Sequence, residues 1–187
     1  MRFWPLPASG RPRATGRTTQ ASGRWFEWAY ADAAVWTVRA EPADSPEAVA
    51  LLRGYFAELT ERWFRRPTTD DEIDETLAEY PSTGLAAFFV LRADGEPAGC
   101  LGLHPTGEIT RVYVTWRFRG GGGARALLAS AEAHARTHGL KRLFLDTRAD
   151  LIEARAFYLA CGFTEIPPPT ETPGPFQDHW YEKPLDP

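Results

Sequence analysis

Residues 119–125 read Arg-Gly-Gly-Gly-Gly-Ala-Arg, and they stand between an apolar stretch at 108–114 and a run of apolar residues at helical spacing. Glycines let a backbone bend sharply and approach a ligand closely, because no Cβ stands in the way. The N–H groups that open the following helix have no partner within it, and the helix dipole favours an anion there. The stretch therefore predicts a cradle for a pyrophosphate group.

Two familiar phosphate-binding loops do not fit this stretch. A P-loop continues with Lys and Ser or Thr after its last glycine, whereas Ala124 and Arg125 follow here. A dinucleotide fingerprint follows the first strand of a βαβ unit, whereas this stretch lies two-thirds along the chain, after a predicted antiparallel meander. Asp146 lies about 24 residues past Gly122, so the spacing of a distal acid alone leaves a dinucleotide open.

Outward from the glycines, strands and helices are distributed as in an α/β fold. Ser45 before Pro46 predicts a helix N-terminus, and Asp94-Gly95 predicts a hairpin turn. Helices are expected from Ser45 to about Phe64, from Pro67 to Tyr80, from the glycines to Gly139, and over 152–161. Strands are expected at 35–39, 85–91, 97–104, 108–114, 142–146, 163–166 and 179–183.

The composition restricts the class of protein. The 187 residues, 43% hydrophobic and 25% charged, suit one globular domain. No run approaches the roughly 20 apolar residues of a membrane span. Two cysteines, Cys100 and Cys161, show no zinc-binding spacing. We therefore expect a cytoplasmic protein without a metal site. A net charge of −4 argues against nucleic acid as the main partner.

The charge is unevenly distributed. Residues 1–26 contain five arginines and no acidic residue, and they lack an apolar period. We expect residues 1–33 to be a flexible basic tail and residues 34–187 to be the domain. A targeting segment, a contact with an anionic partner and a wrongly assigned upstream start are alternative interpretations. The aromatic cluster at 25–30 is a candidate cover for the domain edge or a dimer contact.

Two further motifs establish a resemblance. Arg119-x-x-Gly122-x-Ala124, the preceding residues 111–114, and Ala154-x-x-x-Tyr158-x-x-x-Gly162-Phe163 are similar to the motifs of the GCN5-related N-acetyltransferase (GNAT) family. The resemblance covers about residues 36–184. It implies a mixed, mostly antiparallel central sheet with helices on both faces. It also implies acetyl-CoA as co-substrate and direct transfer of its acetyl group to an amine in a ternary complex.

The resemblance also implies site residues. Backbone groups of the central strand would pair with the pantetheine arm, and those of the glycine stretch would hold the pyrophosphate. The predicted cofactor-binding residues are Val112, Tyr113, Val114, Arg119, Gly120, Gly121, Gly122, Gly123, Ala124 and Arg125. Tyr158 is the expected general acid for the departing thiolate, and Glu108 is the expected general base. His104, His179 and a water chain are the alternative bases.

Two departures from the family pattern stand out. Leu151 occupies the place of an asparagine that often hydrogen-bonds the cofactor or a backbone neighbour. Gly121 and Gly123 replace bulkier residues, so we expect a looser loop that loses more entropy on binding. A non-catalytic acyl-CoA-binding sensor is therefore the alternative function.

Acceptor specificity is expected from residues 55–82 and from the 167–179 loop. An acidic run, Asp70, Asp71, Glu72, Asp74 and Glu75, either favours a cationic amine such as a polyamine, an aminoglycoside or lysine, or is a solvated helix N-terminus. A homodimer is possible.

Overall fold

Two antiparallel sheets and four helices make up the domain in the computed structural model, which describes residues 34–169 and 176–186. The strands are β1 (Trp36–Ala40), β2 (Ala87–Ala93), β3 (Glu96–Leu103), β4 (Ile109–Val114), β5 (Arg142–Thr147), β6 (Thr164–Ile166) and β7 (His179–Pro184). The helices are α1 (Pro46–Phe64), α2 (Asp70–Glu79), α3 (Gly123–Thr137) and α4 (Ile152–Ala160), with a short 3-10 turn at Trp116–Phe118. The predicted basic tail and its aromatic cluster lie outside the described residues.

The strands form a meander and a smaller second sheet. The first sheet has the order β1-β2-β3-β4 and the second the order β5-β7-β6. All strand pairs within these sheets are antiparallel. An isolated parallel bridge between Glu108 and Phe144 connects β4 to β5. The predicted α/β fold is thus confirmed, with the central sheet divided in two at this bridge.

Alternation along β2 puts helices on both faces of the first sheet. Phe89 and Leu91 point into one apolar cluster, which contains the buried face of α3. Phe88 and Val90 point into the other, which contains the buried face of α1. Successive side chains of a strand point to opposite faces, so one strand supports both layers. Full burial of a side chain such as Leu91 stabilises the fold by roughly 1.5–3 kcal/mol.

Helices α1 and α2 each begin at a residue whose side chain caps the helix. Ser45 Oγ accepts a hydrogen bond from the N–H of Ala48 at the start of α1, as predicted. The second helix begins at Asp70 and not at Pro67, because Thr69 and Glu72 form a reciprocal capping box. The sequence prediction placed this start too early.

Within the described ranges, 34–169 and 176–186, every helix is too short or too polar to span a bilayer.

Candidate active site

A cleft opens where β4 and β5 stop pairing. The N–H of Phe144 donates to the carbonyl of Gly107 at 3.0 Å, beside the bridge between Glu108 and Phe144. Beyond the bridge, β4 belongs to one sheet and β5 to the other. Since β4 is the last strand of its sheet, backbone groups along its outer edge are available to a ligand.

Arg111 marks a bend in β4. Its φ of 55° lies in the left-handed region, which residues other than glycine rarely adopt. The register against β3 shifts between Cys100 and Gly102, as at a β-bulge. The Arg111 guanidinium donates to the carbonyls of Tyr80 and Pro81 at 3.1 Å each. These bonds tie the end of α2 to the bend.

The first cavity, here called the donor cavity, has a volume of about 410 Å³. This lies within the range of small-molecule sites. Its walls are β4, the glycine stretch with the start of α3, the inner side of α4 and one side of α1. The lining residues are Tyr55, Glu58, Leu59, Val112, Tyr113, Val114, Phe118, Arg119, Gly120, Gly122, Gly123, Ala124, Arg125, Leu151, Glu153, Ala154, Phe157 and Tyr158.

The structure brings most of the predicted cofactor-binding residues together around this one space. Nine of the ten line the donor cavity, and Gly121 does not. Tyr158, the predicted acid, lies in the same wall as Ala154 of its motif.

The glycine stretch has a backbone that other residues would strain. Gly120 has φ 81° and Gly122 has φ 94°. Gly122 is the N-cap of α3 and supplies no side-chain cap to its first turn. The N–H groups of that turn are therefore left for a ligand, and the helix dipole makes an anion the favoured one. This geometry suits an anion, and the pyrophosphate-binding role of the glycine stretch stays a prediction.

Trp36 holds the glycine stretch from β1. Its indole Nε1 donates to the carbonyl of Gly121 at 2.8 Å. A Cβ on Gly121 would stand 2.9 Å from the Trp36 ring, and one on Gly123 would stand 2.6 Å from Leu91 and 3.0 Å from Trp36. The two glycines make room for the indole. The expectation of a loose loop overlooked this contact, which joins residues far apart in the chain.

Replacing Trp36 by Phe tests this support. The variant keeps an apolar ring but loses the hydrogen bond to Gly121, and such a bond is typically worth about 0.5–1.5 kcal/mol. Calorimetric titration with CoA should show binding weakened by roughly two- to tenfold. Trp116→Phe is the matched control, because Trp116 is 81% exposed. Unchanged affinity in Trp36→Phe would contradict the supporting role.

The two arginines beside the glycines have protein partners in the structure. Arg119 donates from Nε to the carbonyl of Val114 at 2.7 Å and forms an ion pair with Glu58 of α1. Arg125 lies near the end of α4, where Nη1 reaches the carbonyl of Ala160 at 3.4 Å. Arg119 thereby links α1 to β4 across the donor cavity, while Arg125 is the more loosely held cation.

A second cavity, here called the acceptor cavity, adjoins the first and also measures about 410 Å³. The two share Tyr55, Leu59 and Leu151. The remaining lining residues are Phe56, Thr60, Trp63, Phe64, Thr76, Glu79, Tyr80, Asp146, Thr147, Arg148 and Phe176. A donor and an acceptor bound in these spaces would meet at the shared wall.

The "Acetyltransferase (GNAT) family" model matches residues 48–163. The chain belongs to the GNAT family. It is therefore an acyltransferase with acetyl-CoA as donor, which confirms the prediction from the sequence.

Relatives of the chain are N-acetyltransferases. An aminoglycoside N(6')-acetyltransferase type 1 of Stenotrophomonas maltophilia is 30% identical over 69% of this chain and 86% of its own length. An uncharacterized N-acetyltransferase of Escherichia coli strain K12, YjgM, is 36% identical over 66% of this chain and 78% of its own length. The structure of PaiA N-acetyltransferase from Thermoplasma acidophilum in complex with coenzyme A has a TM-score of 0.62 and 17% identity, with coverage of 80% of this chain and 99% of that one.

Tyr158, the general acid expected from the resemblance, lies in the wall of the donor cavity. It is only 7% exposed and packs edge to face against Phe163, with ring centroids 5.6 Å apart. Burial raises the pKa of Tyr158 well above its usual value. The phenol thus keeps its proton at neutral pH.

Leu151, the departure from the GNAT pattern, lies where the two cavities meet. It is the N-cap of α4 and makes no side-chain cap bond, whereas asparagine is among the best N-cap residues. The leucine therefore gives the shared wall an apolar surface and leaves the α4 N-terminus without a side-chain cap.

Asp146 is a site residue that the sequence reasoning missed. It lines the acceptor cavity and accepts a hydrogen bond from Gln177 Nε2 at 3.0 Å. Burial raises the pKa of Asp146, and the negative charge of Glu108 raises it further, against the lowering effect of the Gln177 bond. The feature of the sequence that could have identified Asp146 is an acidic residue near the end of an otherwise apolar strand.

Glu108 lies at the start of the opening and outside the lining of both cavities. Its bridge partner Phe144 stands two residues before Asp146 on β5, so Phe144 and Asp146 share one face of the strand. The negative charge of Glu108 contributes to the raised pKa of Asp146.

The alternative histidine bases do not line either cavity. His179 Nδ1 bonds to Glu165 Oε1 at 2.6 Å between β6 and β7. The backbone N–H of His104 donates to the carbonyl of Glu108 in the turn before β4.

The acidic run of α2 mainly serves the helix. Asp70 and Asp74 pair with Arg53 of α1. Glu72 pairs with Arg66 and closes the capping box. The acidic residues that line the acceptor cavity are instead Asp146 and Glu79.

Replacing Asp146 by Asn should stabilise the protein at neutral pH. The raised pKa means that the folded state holds this proton more tightly than the unfolded chain, so the contribution of Asp146 to stability falls as pH rises from about 4 through the folded-state pKa. Thermal unfolding should show a higher Tm for Asp146→Asn at pH 7 and a difference that vanishes near pH 3.

Asp44→Asn, at an exposed turn before α1, is the control and should show no such pH-dependent gain. A lower Tm for Asp146→Asn at pH 7 would contradict the destabilising ionisation.

Proposed function

We propose that the protein transfers the acetyl group of acetyl-CoA to the primary amine of a small cationic molecule, by direct attack in a ternary complex. The observation that carries this proposal is the meeting of two cavities at Tyr55, Leu59 and Leu151. One cavity has the backbone cradle of a helix N-terminus, and the other has a carboxylate, Asp146, in its lining. A peptide amine remains the alternative acceptor.

The donor cavity positions the thioester. Backbone N–H groups of 120–125 bind the pyrophosphate, and the outer edge of β4 at Val112 and Val114 binds the pantetheine arm. Acetyl-CoA supplies an activated acetyl group at the far end of that arm. The cradle at one end and β4 along the length fix where this group lies.

The carboxylates remove the proton from the acceptor. Asp146 attracts the ammonium group, and Glu108, whose negative charge contributes to the raised pKa of Asp146, acts as general base. The free amine then attacks the thioester carbon.

Tyr158 completes the transfer. The new C–N bond forms as the C–S bond breaks, and the thiolate takes the proton of the Tyr158 phenol. After the C–N bond has formed, the nitrogen loses its second proton. This proton restores the Tyr158 phenol. The products are the amide, CoA and one proton released to solvent.

Among cationic amines, the identity of one relative is informative. The Stenotrophomonas maltophilia relative is an aminoglycoside N(6')-acetyltransferase, and aminoglycosides carry several ammonium groups. The acidic side chains of the acceptor cavity, Asp146 and Glu79, would suit such a positive charge.

Replacing Tyr158 by Phe tests the acid. We expect kcat, followed as thiol release, to fall by about 10²- to 10⁴-fold, with little change in CoA affinity because the ring remains. Tyr181→Phe is the matched control, since its hydroxyl faces Glu165 and not the cavities. Unchanged kcat in Tyr158→Phe would contradict the assigned role.

Replacing Glu108 by Gln tests the base in the same assay. The variant should lower kcat/KM and shift the acidic limb of the pH profile, and combining it with Asp146→Asn should cost less than the two single effects added. Saturable binding of acetyl-CoA by the wild type without thiol release for any amine would favour the sensor function instead.

A further inference from the structure

Exposed aromatic side chains line the acceptor cavity. Of the five exposed aromatic side chains among the large hydrophobics of the described ranges, four line this cavity: Trp63, Phe64, Tyr80 and Phe176. Trp63 and Phe64 are 52% and 56% exposed at the end of α1. Such a concentration of exposed apolar surface marks a place where something apolar binds.

The rings come from separate parts of the chain and are arranged around a space. Trp63 of α1 meets Phe176, which precedes β7, edge to face with centroids 5.1 Å apart. Tyr55 meets Phe56 in the same way at 5.0 Å. Edge-to-face pairs hold rings in fixed orientations, so the cavity presents flat apolar walls and not a loose apolar surface.

Two polar side chains of the lining, Thr76 and Arg148, have hydrogen-bond partners within the protein. The Thr76 hydroxyl donates to the carbonyl of Glu72 at 2.7 Å. Arg148 donates to both carboxylate oxygens of Asp150 and to the carbonyl of Leu59. A substrate rich in hydroxyl groups would need many unoccupied donors and acceptors, because desolvated hydroxyls without partners are costly.

The charged side chains of the cavity favour a substrate that carries an ammonium group and has no carboxylate next to it. Asp146 and Glu79 are the acidic lining residues, and Arg148 is the basic one. The charge of Arg148 is offset by its ion pair with Asp150, and its guanidinium lies 5.1 Å from the Trp63 ring centroid. The α-carboxylate of an amino-acid substrate would have to displace Asp150 to reach the Arg148 guanidinium.

We infer that the acceptor is a primary amine carried on a planar apolar body, such as an arylalkylamine, with its ring among Trp63, Phe176 and their neighbours and its ammonium at Asp146. This inference rests on the proposed function and names the substrate class. It separates the chain from a hydroxyl-rich amino sugar, an aliphatic polyamine and an α-amino acid.

A comparison of acceptors tests the inference. Thiol release from acetyl-CoA is followed with 2-phenylethylamine, phenylalanine, spermidine and an aminoglycoside such as kanamycin. We expect kcat/KM for 2-phenylethylamine to exceed that of each other amine by tenfold or more. A preference for kanamycin, spermidine or phenylalanine would overturn the inference and leave the acetyl transfer itself intact.

A Trp63 variant separates ring recognition from folding. Trp63→Ala should lower kcat/KM for 2-phenylethylamine by about three- to tenfold, the scale of an aromatic contact, and should lower the value for spermidine by a smaller factor. Trp63→Phe should restore part of the loss, and Trp116→Ala, at an exposed ring outside both cavities, should show none. An equal loss for both amines in Trp63→Ala would overturn the inference.

Calorimetric titration of the CoA-bound protein with 2-phenylethylamine reads the preference without turnover. Saturable binding that is weakened in Trp63→Ala, together with an absence of thiol release, would contradict the proposed transfer but support the inference. An absence of binding together with turnover of another amine would overturn the inference alone.

Discussion

The separation of β4 from β5 is the constraint on which the rest of the site depends. The strands meet at the bridge between Glu108 and Phe144 and then belong to different sheets. Had they paired along their length, the outer edge of β4 would be occupied and no cavity could lie beside it. The bulge at Arg111, tied to the end of α2 by two hydrogen bonds, bends β4 at this opening. One irregularity in a strand thus provides both a binding edge and a cleft.

Helix α1 connects the two halves of the site. Tyr55 and Leu59 face both cavities, and Glu58 between them holds Arg119 of the donor side. Farther along the helix, Trp63 reaches the acceptor side and packs against Phe176. Because a helix presents residues three and four apart on one face, a single element can shape the donor cavity, the shared wall and the acceptor cavity in sequence order.

Local patterns carried most of the fold and the donor site. The Ser45 cap and the glycine stretch act within a few residues, so their chemistry is legible in the sequence. Trp36 and Asp146 were missed because their roles arise from contacts with residues 85 and 31 positions away, Gly121 and Gln177. The acidic start of α2 left a cationic-amine site and a helix N-terminus both open, because a local pattern does not show which residues lie opposite it. In the structure, Glu72 closes the capping box and Asp70 pairs with Arg53.

The most direct test of the central claim, that the glycine stretch binds the pyrophosphate of acetyl-CoA, is calorimetric titration of Gly122→Glu. Its control is Gly139→Glu, because Gly139 has a similar φ of 75° against 94° for Gly122 and open space around it, so backbone strain is matched while the cradle is spared. If the glycine stretch binds the pyrophosphate, the wild type and Gly139→Glu will bind acetyl-CoA saturably and Gly122→Glu will not. Equal binding in both variants, or no binding in the wild type at millimolar acetyl-CoA, would contradict it.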